Sequence, residues 1–148
     1  MSYQEKSTLG SLLAMLIIYS FYFAGVVHHR GDASYDGKSL ARLMATVVAL
    51  IVVEIVYHII LAIGWKAEPK DERDLLIEGK SYRNAYLLLS TGAALVLAYI
   101  IVVGLMQDAA TGRALLTPFV TVNLLLLAMV GGSAMKYLTQ IFYYRRGL

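Results

Sequence analysis

Two ionisable residues lie inside the most apolar part of the chain, where charged groups are rare. The stretch "LIVVEIVYHIILAIGW", residues 50–65, carries the carboxylate of Glu54 and, four residues later, the imidazole of His58. On a helix, side chains four residues apart share one face. Placing such a carboxylate in hydrocarbon costs about 2.5 to 3.5 kcal/mol unless it is protonated, paired or hydrated. This face is therefore expected to point into the protein interior or into a subunit interface.

Glu54 and His58 support two main interpretations. In the first, Glu54 accepts a hydrogen bond from His58 or from a tyrosine of the first span, Tyr19 or Tyr22, and this polar membrane core, which includes Tyr57, specifies helix packing. In the second, Glu54 titrates and exchanges a proton for a cation, while His58 relays the proton. The sequence leaves both open.

Metal binding and catalysis are the remaining interpretations of this pair. A closed metal site needs about four ligands, and beyond Glu54 and His58 the spans offer only Asn123, Gln140 and tyrosines. The sequence has no H-E-x-x-H motif, no nucleophile elbow and no glycine-rich phosphate loop. We therefore predict a protein that is not an enzyme and that needs no cofactor or metal.

The elements that must position these residues are four apolar stretches. The chain has 148 residues, of which 59% are hydrophobic and 16% are charged. A helix needs about 20 apolar residues to cross about 30 Å of hydrocarbon, and residues 9–27, 43–65, 85–106 and 115–135 meet this requirement. The fourth helix is expected to continue to about residue 144, and the turn-rich segment 28–39 to be irregular. We predict one all-α transmembrane domain over residues 1–148.

The distribution of lysine and arginine predicts the orientation of the spans. Basic residues resist translocation, so the side that holds more of them is cytoplasmic. The N-terminus, the second loop and the C-terminus hold eight, whereas the other side holds four. This predicts an antiparallel four-helix bundle with both termini in the cytoplasm. The net charge of +3 is divided among short segments, which favours anionic lipid headgroups over direct nucleic-acid binding.

The cytoplasmic hairpin, residues 66–84, is the most distinctive charged segment. Pro69 ends the preceding segment, and the carboxylates that follow suit the first turn of a new helix because they complement its dipole. Asp74 and Glu78 are like charges four residues apart, which is unfavourable unless a basic residue neutralises them. The candidates for that role are Arg73, Lys80, Arg83, Arg145 and Arg146.

The hairpin also carries a resemblance. The run "DERDLLIEGKSYRNAY" and the C-terminal "YYRRG" resemble a widespread family of small four-span bacterial membrane proteins of unknown function, whose genes often neighbour that of a helix-turn-helix regulator. The resemblance implies a location in the bacterial inner membrane and a possible cytoplasmic regulator as partner. It marks a cytoplasmic interaction site at Asp71, Glu72, Arg73, Asp74, Glu78, Lys80, Arg83, Asn84, Arg145 and Arg146.

Small residues predict close helix packing. Ser90, Ala94 and Ala98 in the third span, and Ala128 and Gly132 in the fourth, would let helix backbones approach within one chain or between two. We expect a homodimer in the lipid bilayer, because four short-looped helices enclose little volume. The predicted function is that of a sensor or regulatory component acting through the hairpin; the alternative is a proton-coupled cation or drug transporter that uses Glu54.

Overall fold

The fold consists of four long helices. The computed structural model describes residues 3–29, 35–64, 69–106 and 118–146. Each helix is long and apolar enough to cross a membrane, so the predicted all-helical architecture with four candidate spans is confirmed. The helices are α1 (Tyr3–His28), α2 (Tyr35–Gly64), α3 (Glu72–Met106) and α4 (Pro118–Arg146).

The helices extend beyond the apolar windows that predicted them. α1 begins at Tyr3, so Ser7 and Thr8 lie on this helix. α2 begins at Tyr35, so the expectation of an irregular segment up to residue 39 is wrong for its last residues. Hydropathy marks only the apolar part of a helix, whereas backbone hydrogen bonding continues through polar residues. The predicted span end at residue 65 and start at residue 115 lie outside the described residues.

The helices pack in a layer. The extensive helix contacts among the described residues join α1 to α2, α1 to α4 and α3 to α4, which gives the order α2, α1, α4, α3 across the molecule. Along the α1–α2 contact, residue numbers rise on one helix and fall on the other: Ser7 meets His58, and Ser11 meets Glu54. α1 therefore lies between α2 and α4, and these two helices form the walls of a groove above it.

Small residues bring α3 and α4 together. A Cβ added at Gly132 would lie 3.2 Å from Leu89 Cβ, and one added at Gly92 would lie 2.9 Å from Ala128 Cβ. The predicted packing role of Ala128 and Gly132 is confirmed. Ser90, Ala94 and Ala98 of α3 are exposed, so they do not serve packing within one chain, and their role between two chains stays a prediction. Spacing alone identifies small residues on a helix but does not decide which of its faces meets the neighbour.

The surface of the layer is apolar, and part of its interior is polar. Large aliphatic residues of α2, such as Ile51, Val52 and Ile55, are more than half exposed. The buried residues include Thr8, Ser11, Ser81, Asn123, Thr139 and Gln140. This inverts the pattern of a water-soluble domain and suits an exterior of lipid, where polar groups must find partners inside the protein.

Candidate functional site

Glu54 bonds to α1. The Ser11 hydroxyl donates a hydrogen bond to Glu54 Oε2 at 2.8 Å. The serines of α1, Ser7 and Ser11, are four residues apart and oppose His58 and Glu54, which have the same spacing on α2. The Glu54 side chain remains 24% exposed. It is thus held by a neighbouring helix without being sealed inside the protein.

His58 joins the same arrangement through both ring nitrogens. Its Nδ1 lies 2.8 Å from the Glu54 backbone oxygen and 3.4 Å from Glu54 Oε2, while its Nε2 lies 3.2 Å from Ser7 Oγ. A neutral ring with its proton on Nδ1 satisfies these contacts, because Nδ1 then donates to the backbone and Nε2 accepts from Ser7. A second proton on Nε2 would reverse the Ser7 bond and place a positive charge beside the Glu54 carboxylate.

Tyr137 of α4 completes the arrangement. It lines the polar cavity together with Ser7, Ser11 and His58, and it lines the apolar groove together with Glu54. Side chains from α1, α2 and α4 thus lie together around Glu54 in a group that we call the Glu54 cluster: Ser7, Ser11, Glu54, His58 and Tyr137.

The tyrosines of the predicted polar membrane core have other contacts. The Tyr22 hydroxyl donates to Asn123 Oδ1 at 2.8 Å, and the Tyr57 hydroxyl donates to the Lys6 backbone oxygen at 2.7 Å. Tyr19 packs in the apolar core beside Leu12 and Met15. The carboxylate thus accepts its hydrogen bond from Ser11. His58 Nδ1 lies 3.4 Å from it as an ion-pair partner but bonds to the backbone oxygen, and the predicted tyrosine partners are wrong. The serine spacing on α1 could have identified the true partner, but it fell at the edge of the predicted first span.

A polar cavity adjoins the Glu54 cluster. Its volume is about 240 Å³, and every side chain that lines it can form hydrogen bonds. The lining combines the start of α1, the last part of α2, the first two turns of α3 and the end of α4, together with Lys70, which lies two residues before α3. Its members are Gln4, Ser7, Thr8, Ser11, His58, Lys70, Asp74, Glu78, Lys136, Tyr137, Gln140 and Tyr144.

The acidic residues of the hairpin are held by local bonds. The Asp74 backbone N–H donates to Asp71 Oδ1 at 2.7 Å, and the Asp71 N–H donates to Asp74 Oδ2 at 3.2 Å. This reciprocal pair caps the N-terminus of α3. Asp74 also accepts a hydrogen bond from Tyr144. Glu78 pairs with Lys70 at 2.7 Å, so the neutralising cation precedes the helix and is not among the predicted basic residues.

The remaining hairpin residues face outward or tie the helix ends together. Lys80 lies over the Tyr143 ring, with Nζ 4.9 Å from its centre. Arg145 Nε lies 3.5 Å from Glu5 Oε1, and Arg146 lies over the Phe142 ring. Asn84 donates to Thr139 Oγ1 at 3.4 Å. The exposed charges on α3 are Glu72, Arg73, Lys80 and Arg83.

An apolar groove runs from the Glu54 cluster along α1. Its volume is about 580 Å³; Met15 and Tyr19 form its floor, and α2 and α4 form its walls. Its polar residues are Glu54, Ser133 and Tyr137 at the inner end, together with Tyr19. At the other end, a cavity of about 250 Å³ beside the Tyr22–Asn123 bond shares Leu43 and Val122 with the groove. The cavity beside Tyr22 and Asn123, the groove and the polar cavity thus follow one another along α1.

The polar groups in these cavities are hydroxyls, amides and carboxylates, together with the His58 imidazole and the ammonium groups of Lys70 and Lys136 in the polar cavity. Asn123 bonds to Tyr22, and Gln140 accepts from Thr8 at 3.2 Å, so the two amides considered as metal ligands lie away from Glu54 and already have partners. Within the described residues, no group of three His, Cys, Asp or Glu side chains converges. The arrangement suits the binding of a polar or cationic group by hydrogen bonds and charge.

Comparisons of the chain with protein-family models, with curated proteins and with solved structures gave no match. The class of the protein therefore follows from its architecture. Four helices long and apolar enough to cross a membrane, with an apolar surface and polar groups paired inside, are the architecture of a multi-pass membrane protein.

Proposed function

We propose that this protein is a non-enzymatic component of the bacterial inner membrane that senses a ligand or condition within the membrane and signals through the charged start of α3. It acts as an antiparallel four-helix bundle in which the helices follow the order α2, α1, α4, α3, with both termini in the cytoplasm. The exposed apolar faces of α2 and α3, at the edges of the layer, offer surfaces for a homodimer. The resemblance of the hairpin to the bacterial four-span family supports a cytoplasmic regulator as partner.

One observation carries the proposal. The polar cavity is lined jointly by membrane-embedded His58 and by Lys70, Asp74 and Glu78 at the start of α3. A group that entered this cavity would compete for the bonds that hold the hairpin, namely Lys70–Glu78 and Tyr144–Asp74. Occupancy would thus change the position of α3, because these contacts orient its first turns.

The exposed charges of α3 provide the output surface. Arg73 and Lys80 are seven residues apart and share one face of the helix, and both are exposed. Arginine and lysine on such a face recognise acidic groups of a protein partner. Neither side chain lines the polar cavity. Ligand binding and partner binding would therefore use different faces of the same helix.

Photo-crosslinking in native membranes tests this proposal. A photoreactive amino acid at position 73 is expected to crosslink to one cytoplasmic protein, identified by mass spectrometry. Lys80→Glu should reduce the yield, and Lys38→Glu, an exposed charge reversal near the start of α2, should leave it unchanged. Thr8→Ala, which alters the cavity, should change the yield without removing the surface. Crosslinks to lipid alone would refute the proposal.

A second function, proton-coupled transport of a cation, is favoured by the position of Glu54. Its carboxylate lines the apolar groove and is hydrogen-bonded to Ser11, which lines the polar cavity. Glu54 can meet a cation that occupies the groove, and its bond to Ser11 connects it to the polar cavity. A carboxylate with a purely structural role would be closed to both. The chain of three cavities along α1 supplies the corresponding route.

Proteoliposomes with an imposed pH gradient test the transport function. Wild-type protein is expected to release protons when a panel of lipophilic and inorganic cations is added, and Glu54→Gln to abolish this release because an amide does not titrate. The matched control is Glu72→Gln at an exposed carboxylate. If no cation of the panel drives proton release from the wild-type protein, the transport function is refuted and the sensor function stands.

A further inference from the structure

The apolar groove ends at a carboxylate. Its inner end holds Glu54, and the ion pair that Glu54 makes within the described residues is with His58 at 3.4 Å. His58 neutralises the charge of the Glu54 carboxylate only when its imidazole is protonated. A ligand with a cationic group and an apolar chain would stabilise an ionised Glu54 at the end of this groove. Its cationic group would pair with the carboxylate, and its chain would pack on the apolar lining.

The groove has the length of one lipid chain. From Leu43 to Glu54 it follows α2 for about 16 Å, which is close to half of the about 30 Å hydrocarbon core. Its volume of about 580 Å³ falls in the range of ligand sites, about 300 to 1,000 Å³. One alkyl chain that lies along Met15 and Leu126 would therefore reach the Glu54 carboxylate with its head.

The groove is open to the surrounding lipid. Several of its wall residues are exposed, among them Met44 at 56%, Leu125 at 41% and Met129 at 60%. α2 and α4 both pack on α1, which leaves the groove accessible from the side between them. An amphiphile could enter from the bilayer without crossing the polar cavity, while its head would lie beside Ser133, Tyr137 and Glu54.

We propose that the groove between α2 and α4 binds a single-chain amphiphile with a cationic amine head, with the alkyl chain on Met15 and Leu126 and the ammonium group on Glu54. Three features support this class of ligand: the carboxylate at the inner end, the length of one chain and the lateral opening. The inference deepens the proposed function by naming the sensed or transported ligand. Only the consequence of binding, signalling or transport, rests on the proposed function, because binding itself needs no protein partner.

Photolabelling of the full chain in phosphatidylcholine nanodiscs tests the site. The probes are dodecylamine, dodecanol and dodecyl sulfate, each with a diazirine in the chain, used at neutral pH where the amine is protonated. The amine is expected to label groove residues such as Met44 and Met129, with a yield about tenfold above that of the alcohol, because a charge-assisted hydrogen bond to Glu54 contributes at least that factor. Glu54→Gln should lower the amine yield to that of the alcohol.

A steric variant provides a matched pair. Leu125→Trp fills the groove and should block labelling, whereas Leu127→Trp, on the same helix but outside the groove lining, should leave labelling unchanged. Both residues are exposed, so both variants should keep the wild-type thermal unfolding. Equal labelling by amine and alcohol, stronger labelling by a dodecyl sulfate probe, or labelling that survives Leu125→Trp would overturn the proposal. Because no cytoplasmic protein is present, failure here is separate from failure of crosslinking at position 73.

Discussion

Ser11 and Glu54 are joined across the α1–α2 interface by a hydrogen bond of 2.8 Å from Oγ to Oε2. This bond connects a small polar residue of the first helix to the carboxylate of the most apolar helix. It explains how α2 carries an ionisable group among aliphatic residues: the carboxylate has a donor on the neighbouring helix and a partly exposed position beside a polar cavity.

The first prediction concerns Glu54 and its donor. Glu54→Gln keeps an acceptor for Ser11 in nearly the same shape, so thermal unfolding in detergent should change little. Glu54→Ala leaves Ser11 without its acceptor and should lower the free energy of unfolding by about 1 to 2 kcal/mol. Glu72→Ala, at an exposed carboxylate, is the control. A Gln variant as unstable as the Ala variant would contradict the role of the Ser11 bond.

The second prediction concerns Gly10, which lies against the Tyr57 ring. A methyl group at this position would overlap the end of that ring and displace the Tyr57 hydroxyl from its bond to the Lys6 backbone oxygen. Gly10→Ala should therefore destabilise the protein by about 1 to 3 kcal/mol. The control is Gly79→Ala, where an added methyl meets nothing within 4 Å. If both variants unfold at the same temperature, the close approach of α1 and α2 is refuted.

The third prediction concerns the buried bond between Tyr22 and Asn123. Tyr22→Phe removes the donor and leaves Asn123 Oδ1 in a site where both residues are buried. The free energy of unfolding should fall by about 1 kcal/mol. Tyr86→Phe, at a residue that is 69% exposed, should have no measurable effect in the same detergent assay. A stable Tyr22→Phe variant would show that this bond contributes nothing to helix packing.

The fourth prediction concerns orientation in the membrane. The chain has no cysteine, so a single introduced cysteine is the only thiol of the protein that a maleimide can label. Lys38→Cys should react with an impermeant maleimide added outside the cell, whereas Arg73→Cys and Arg146→Cys should react only after the membrane is opened. This follows from the excess of basic residues on the side of the termini. The reverse pattern would place the hairpin outside and remove a cytoplasmic partner.

The helical architecture was predictable because it depends on local properties. Apolar runs of span length predict membrane-crossing helices whatever lies beside them, and a proline followed by carboxylates predicts a helix start. α3 accordingly begins at Glu72. The spacing of Glu54 and His58 likewise predicted their shared face, since it depends only on the pitch of one helix.

The partners of those residues depended on tertiary structure. Which residue meets Glu54 is decided by the rotation and register of α1 against α2, and a shift of one residue would turn Ser11 away by about 100°. Tyr22 was one of the predicted candidates for a bond to Glu54, yet the register places it opposite Asn123. For the same reason, the sequence marked the hairpin charges as one group, whereas packing divided them into residues that line the polar cavity and residues that face outward. Local pattern determines which helices form; only the way they pack decides which polar groups meet.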